Sequence, residues 1–232
     1  LPLGPEPPEV SEWQNNLHKQ MDAYDIIVNT HKNLRYVDGV TQDTVLHALS
    51  RVNAHSKGAM QKNDIFRDLQ HFIAKGVNLN RHNRDGQHPL AAFICNREFR
   101  GSETGATMAK YIECNDINVN MMTRSGSTAL REAAIQAKSD PVRSLIEAGA
   151  NVNARLSNAD PHALKIPGTD CSLLDNGPNG LSVLQATLAA RVKAVMADDF
   201  IRIHMFSEVI SHLEHAGAVA HPNSMQERGW RT

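Results

Sequence analysis

Cysteine is scarce. Cys95, Cys114 and Cys171 are too few, and odd in number, for a disulfide framework, so they read as free thiols in a reducing compartment. An excess of charge of either sign is lacking too. Lys and Arg total 24 against 25 Asp and Glu, a formal net charge of −1. Nucleic acid is therefore not expected as a partner, because phosphate binding requires a basic face. No apolar run approaches the roughly 20 residues that cross a bilayer, and the opening residues show no charged-then-apolar leader. Neither membrane insertion nor export by the general route is expected. There is no phosphate-cradling glycine loop and no G-x-S-x-G elbow. What remains is 232 residues, 41% apolar and 21% charged, enough for one sizeable core or a short repeat array.

The informative stretch runs from Thr123 to Asn153. Gly126 lets the chain turn and Thr128 opens a helix whose apolar face is Leu130, Ala133 and Ala134. Pro141 opens a second helix, where its missing N–H is harmless. Val142, Leu145 and Ile146 give that helix a buried stripe, and Gly149 ends it at a position that favours φ > 0. Ala150 to Asn153 leaves as an extended arm. Such a unit has too little apolar surface to fold alone and must stack on copies of itself.

Gly126-Ser127-Thr128-Ala129-Leu130 and Leu145-Ile146-Glu147-Ala148-Gly149-Ala150-Asn151-Val152-Asn153 resemble the two ends of an ankyrin repeat, G-x-T-P-L and L-L-x-x-G-A-x-V-N. The resemblance implies an all-α fold, a solenoid of helix–turn–helix units with hairpin arms. Further partial matches occur at Thr44-Val45-Leu46-His47, at His88-Pro89-Leu90, at Gly180-Leu181-Ser182-Val183-Leu184 and at Leu213-Glu214-His215-Ala216-Gly217-Ala218. In the family the threonine caps the helix and the histidine ties neighbouring turns. Only His47 keeps that histidine, and Ala91, Arg131 and Gln185 stand in its place elsewhere, so weaker ties are expected in three units. The turn glycines Gly39, Gly86, Gly126 and Gly180 stand 47, 40 and 54 residues apart. The family period is 33, so every interval carries an insertion.

These matches divide the chain into a flexible lead-in at 1–10 and a single repeat domain at 11–221. The domain comprises an N-terminal capping helix within 11–35, repeats at about 36–80, 81–120, 121–154 and 177–220, and an inserted loop at 155–176; a tail follows at 222–232. The capping helix is signalled by a Ser11–Gln14 capping box and by the stripe Trp13, Leu17, Met21, Tyr24 and Ile27. Second helices are expected over Ile65 to Ile73, with the closing glycine at Gly76, and over Met108 to Ile112, with Asn115 in the glycine's place.

The search for chemistry yields little. Cys171, nine residues after His162, has no family signature around it; Cys95 and Cys114 occupy ordinary helix positions. His212 and His215 share a helix face, yet nothing completes a metal set, and a helix C-terminus favours a cation there. Asp198 and Asp199 sit where a helix is capped. No catalytic residue, metal or cofactor is expected.

In the family, partners dock on the arm tips and the exposed face of the first helices. Carried onto this chain, those positions are Tyr36, Asp38, Val40 and Gln42, then Arg81, His82, Arg84 and Gln87, then Met121, Met122, Arg124, Ser127 and Arg131, and last Arg155 and Leu156. Arg81, Arg84, Arg124, Arg131 and Arg155 form a local basic stripe suited to carboxylates. Met121 and Met122 add adaptable apolar surface. The resulting expectation is a monomeric, non-enzymatic, cytoplasmic module that binds another protein with an acidic surface or peptide. A second reading is the targeting portion of a larger secreted bacterial effector, working in a host cytosol with its catalysis elsewhere. A third is a thiol enzyme using Cys171.

Overall fold

The computed structural model describes residues 25–30, 32–51, 70–95, 111–112, 117–155 and 181–220. These residues are mostly helical and contain no β-strand; two isolated bridges, Met122–Thr128 and Arg155–Ser182, are their sole β-type pairings. The helices are α1 (Val45–Arg51), α2 (Pro89–Cys95), α3 (Ala129–Ile135), α4 (Ser139–Glu147), α5 (Val183–Met196) and α6 (Phe200–His215). Residues 25–30, 70–74 and 111–112 are helical as well.

Local chemistry explains where these helices begin. Thr128 accepts the Arg131 N–H at 3.3 Å and starts α3. Ser182 and Gln185 form a reciprocal capping box at α5, each side chain taking the other's orphan backbone donor. Asp199 accepts the Arg202 N–H at 3.0 Å and caps α6. The α4 helix begins at Ser139, two residues before Pro141. The proline thus falls within the first turn, where an N–H has no intrahelical partner.

Three helices close alike. Gly76, Gly149 and Gly217 have φ of +78°, +83° and +81°. In each case the next residue's N–H returns to a carbonyl five residues back: Val77 to Phe72, Ala150 to Leu145 and Ala218 to Leu213.

Helices pack in sequence order in two rows. In one row α1 lies on α2, α2 on α3 and α3 on α5; in the other α4 lies on α6, and the rows meet through α3–α4 and α5–α6. One continuous core joins Leu46 and Leu49, Leu90 and Ile94, Leu130 and Ala133, Leu145, Val183, Val209 and Leu213. Burying such side chains stabilises the fold by about 1.5–3 kcal/mol per large residue. Helix α3 packs directly on α5.

Two expectations need revision. The first unit's left-handed turn residue is Gln42, with φ of 58°, and not Gly39. Asp38 N–H reaches the Asp43 carbonyl across five residues, whereas Asn83 to Gln87 and Thr123 to Ser127 span four. The first arm carries one extra residue, which shifts the turn. Secondly, Val45 through Ser50 are all buried, so this part of α1 offers no exposed face. The capping stripe Trp13, Leu17, Met21 and Tyr24, the helix positions Ile65, Phe66, Leu69 and Met108, and Asn115, Cys114, Cys171, His162 and Leu156 lie outside the described residues.

Candidate protein-binding surface

Three arms lie side by side: residues 38–43, 81–88 and 121–128. Backbone bonds hold them in register, Arg84 N–H to the Thr41 carbonyl at 2.7 Å and Arg124 N–H to the Gly86 carbonyl at 2.8 Å. Gly86 is fixed by this approach. Its φ is +75°, and a Cβ placed there would come within 2.1 Å of the Arg124 Cβ. Asn83 ties the second arm to the first, its side-chain amide donating to Asp43 at 2.9 Å while its Oδ1 accepts the Gln87 N–H.

The arm arginines are tethered, and each bond points back along the array. Arg84 Nη1 donates to the Val40 carbonyl at 3.3 Å, and Arg124 Nη1 donates to the Arg84 carbonyl at 2.9 Å. Arg81 Nη2 lies 3.5 Å from the Gln42 side-chain oxygen. All three are exposed, and among the described residues none pairs with a carboxylate. One nitrogen of each makes these bonds. A guanidinium already held in place loses less side-chain entropy when it grips a carboxylate.

Histidines join the arms as well. His47 Nδ1 accepts from Thr44 N–H at 3.2 Å and its Nε2 bonds the Gln87 carbonyl at 3.0 Å, linking the first unit to the second arm. His82 Nε2 bonds the Met122 carbonyl at 2.7 Å, linking the second arm to the third. His88 occupies the threonine's capping place, with Nδ1 accepting the Ala91 N–H at 3.4 Å. Its Nε2 is buried against the Met121 backbone without a hydrogen bond of good geometry. Burial, and then the neighbouring His82 imidazole, pull the His88 pKa down to about 4. The loss expected from Ala91 is thus made good by His82, which lies outside the family motif.

The other expected contact residues are less uniform. Tyr36 is half-buried against the core, and Gln87 and Met121 are partly exposed. Met122 is 41% exposed beside Arg124. Ser127 is buried at 2% and cannot touch a partner; its Oγ faces Arg131 Nη1 at 3.4 Å. Arg131 is half-buried, its Nε lacks a partner, and desolvation lowers its pKa. Arg155 stands apart from the first three arms, bridged to Ser182 at the fourth unit. The structure therefore gathers Gln42, Arg81, His82, Arg84, Met122 and Arg124 into one strip and leaves Ser127 beneath it.

One element was missed in the sequence. Asparagines form a ladder on the arms that leave the second helices. Asn80, Asn120 and Asn153 side-chain oxygens accept the backbone N–H of Asn118, Asn151 and Val219 at 2.9, 2.7 and 2.9 Å. The amides of Asn120 and Asn153 donate to the Gly149 and Gly217 carbonyls at 3.3 and 3.1 Å. The signal was present: Asn78-Leu79-Asn80, Asn118-Val119-Asn120 and Asn151-Val152-Asn153 repeat one pattern.

Reactive groups are few. Cys95 is half-buried against Glu132 and Gln136, and burial, followed by the Glu132 charge, raises its thiol pKa to about 11. That thiol is protonated at neutral pH and a poor nucleophile. His215 Nδ1 bonds the Ser211 carbonyl at 2.7 Å. Among the described residues no three His, Cys, Asp or Glu side chains could hold a metal, and no helix is long and apolar enough to cross a membrane. No family model matches the chain, and no curated protein matches it significantly.

Proposed function

We propose that the chain is a degenerate ankyrin-repeat solenoid that binds another protein through the strip Gln42, Arg81, His82, Arg84, Met122 and Arg124. The observation that carries the reading is the pair of arginine tethers, each running from one arm to a carbonyl of the preceding arm. Sequential arm-to-arm bonding, sequential helix packing and the asparagine ladder support the repeat architecture. Unpaired, pre-placed guanidiniums beside an exposed methionine support an acidic peptide or acidic protein surface as ligand. This reading is non-enzymatic and cytoplasmic.

The test is a titration of the full chain against fluorescent peptide libraries, one rich in Asp and Glu and one of matched length that is neutral. Binding to the acidic set alone, weakening with salt, is expected. Arg84→Lys with Arg124→Lys keeps the charge but loses the fork and should weaken binding about tenfold; Arg84→Glu with Arg124→Glu should abolish it. Undiminished affinity in the double Glu variant would refute the strip as the site.

A further inference from the structure

The last helix pair overreaches its neighbours. Helix α5 has 14 residues where α3 has 7, and α6 has 16 where α4 has 9. At 1.5 Å per residue the corner between α5 and α6 projects roughly 10 Å past the rest of the array. At its base a small core packs Ala194 and Phe206 against Ala137 of the α3–α4 turn, with the Arg202 guanidinium 5.7 Å from the Phe206 ring centre. Its outer surface exposes five apolar side chains among charged ones: Phe200 and Ile201 are each 77% exposed, Met196 59%, Val195 50% and Met205 38%. Among the described residues, the neighbouring pair α3–α4 stops about two turns lower. Together these side chains show on the order of 500 Å² of apolar surface, near the upper limit for a monomer.

We propose that this corner is a self-association surface whose occupant is the same corner of a second copy. Charge supports a second copy over another partner. Phe200 and Ile201 are preceded by Asp198 and Asp199 and followed by Arg202, while His204 faces Glu208 of its own helix at 3.8 Å. An antiparallel two-fold contact centred between Phe200 and Ile201 brings the acidic end of each helix to the basic side of the other, the self-complementarity an isologous interface requires. The net charge of −1 gives two copies almost no long-range repulsion. The paired carboxylates at the apex disfavour insertion into an anionic lipid surface. Two such patches bury on the order of 1,000 Å² in all, at the low end for specific interfaces, so the dimer is weak. This surface is separate from the arginine strip.

Sedimentation velocity on the full chain between about 2 and 200 µM tests it, with circular dichroism to confirm that each variant folds. The wild-type sedimentation coefficient should rise with concentration towards a dimer, and Phe200→Asp with Ile201→Asp should sediment as a monomer throughout. Asp198→Lys and Arg202→Glu should each weaken association about tenfold, and their combination should restore it. A monomeric wild type, a double-Asp variant that still dimerises, or no recovery in the charge swap would overturn the proposal. So would flotation of the wild type with vesicles of phosphatidylcholine and about one-fifth phosphatidylserine in place of self-association.

Discussion

Replacing Gly86 by alanine tests how closely the arms are stacked. At φ of +75° an L-residue is strained by roughly 1–2 kcal/mol. The new Cβ would also meet the Arg124 Cβ at 2.1 Å and its Cα and Cγ at 3.2 Å, and overpacking of this kind costs about 1–3 kcal/mol more. Gly76 is the control, since its φ is +78° and nothing lies within 4 Å of an added Cβ. Gly76→Ala should therefore lose only the backbone share, and Gly86→Ala a total of about 2–5 kcal/mol. Urea unfolding at fixed pH gives the two losses, and amide exchange at Thr123 and Arg124 locates them. Combining Gly86→Ala with Arg124→Gly removes the colliding side chain and should recover the overpacking part. If Gly86→Ala cost no more than Gly76→Ala, the second and third arms would not be in contact as described.

Further outcomes follow from the same contacts. His88 binds its proton at about pH 4 when folded and near 6.5 when unfolded. The unfolded chain thus takes up the proton first, and stability falls as pH drops from about 6.5 to 4 by about 3 kcal/mol. Urea midpoints at pH 7.5 and 4.5 should show this fall, and His88→Gln should reduce it. Asn120→Ala removes the bonds to the Asn151 N–H and the Gly149 carbonyl; it should cost about 1 kcal/mol and speed exchange of the Asn151 amide. Native Cys95 should resist iodoacetamide at pH 8, because burial and Glu132 raise its pKa to about 11. Glu132→Gln should lower that pKa and quicken alkylation as read by mass spectrometry.

Sequence patterning located most of the helices. Leu130, Ala133 and Ala134 face the core of α3, and Val142 and Leu145 that of α4, because helical spacing is a direct record of burial. Thr128 and Asp199, which cap α3 and α6, are also the residues chosen by side-chain chemistry. The arm surface was legible only in part. Ser127 occupies an arm position yet is buried, since its oxygen is needed beneath Arg131, and no local pattern separates a tip residue from one folded under it. Gln42 took the turn role from Gly39 because one extra residue in the first arm moved the turn. Long-range bonds such as His82 to Met122 join residues 40 positions apart. Periodicity within a window of ten or twenty residues carries no trace of them.

The Arg155–Ser182 bridge has a consequence for how this chain could be remodelled. Both ends of the intervening segment are pinned beside each other, and Asn153 continues across to Gly217 and Val219. Closing a loop grows costlier only by about 0.6 kcal/mol for each doubling of its length. Foreign sequence spliced between these anchors would hang from a fixed doorway, so the molecule is a ready carrier for grafted cargo.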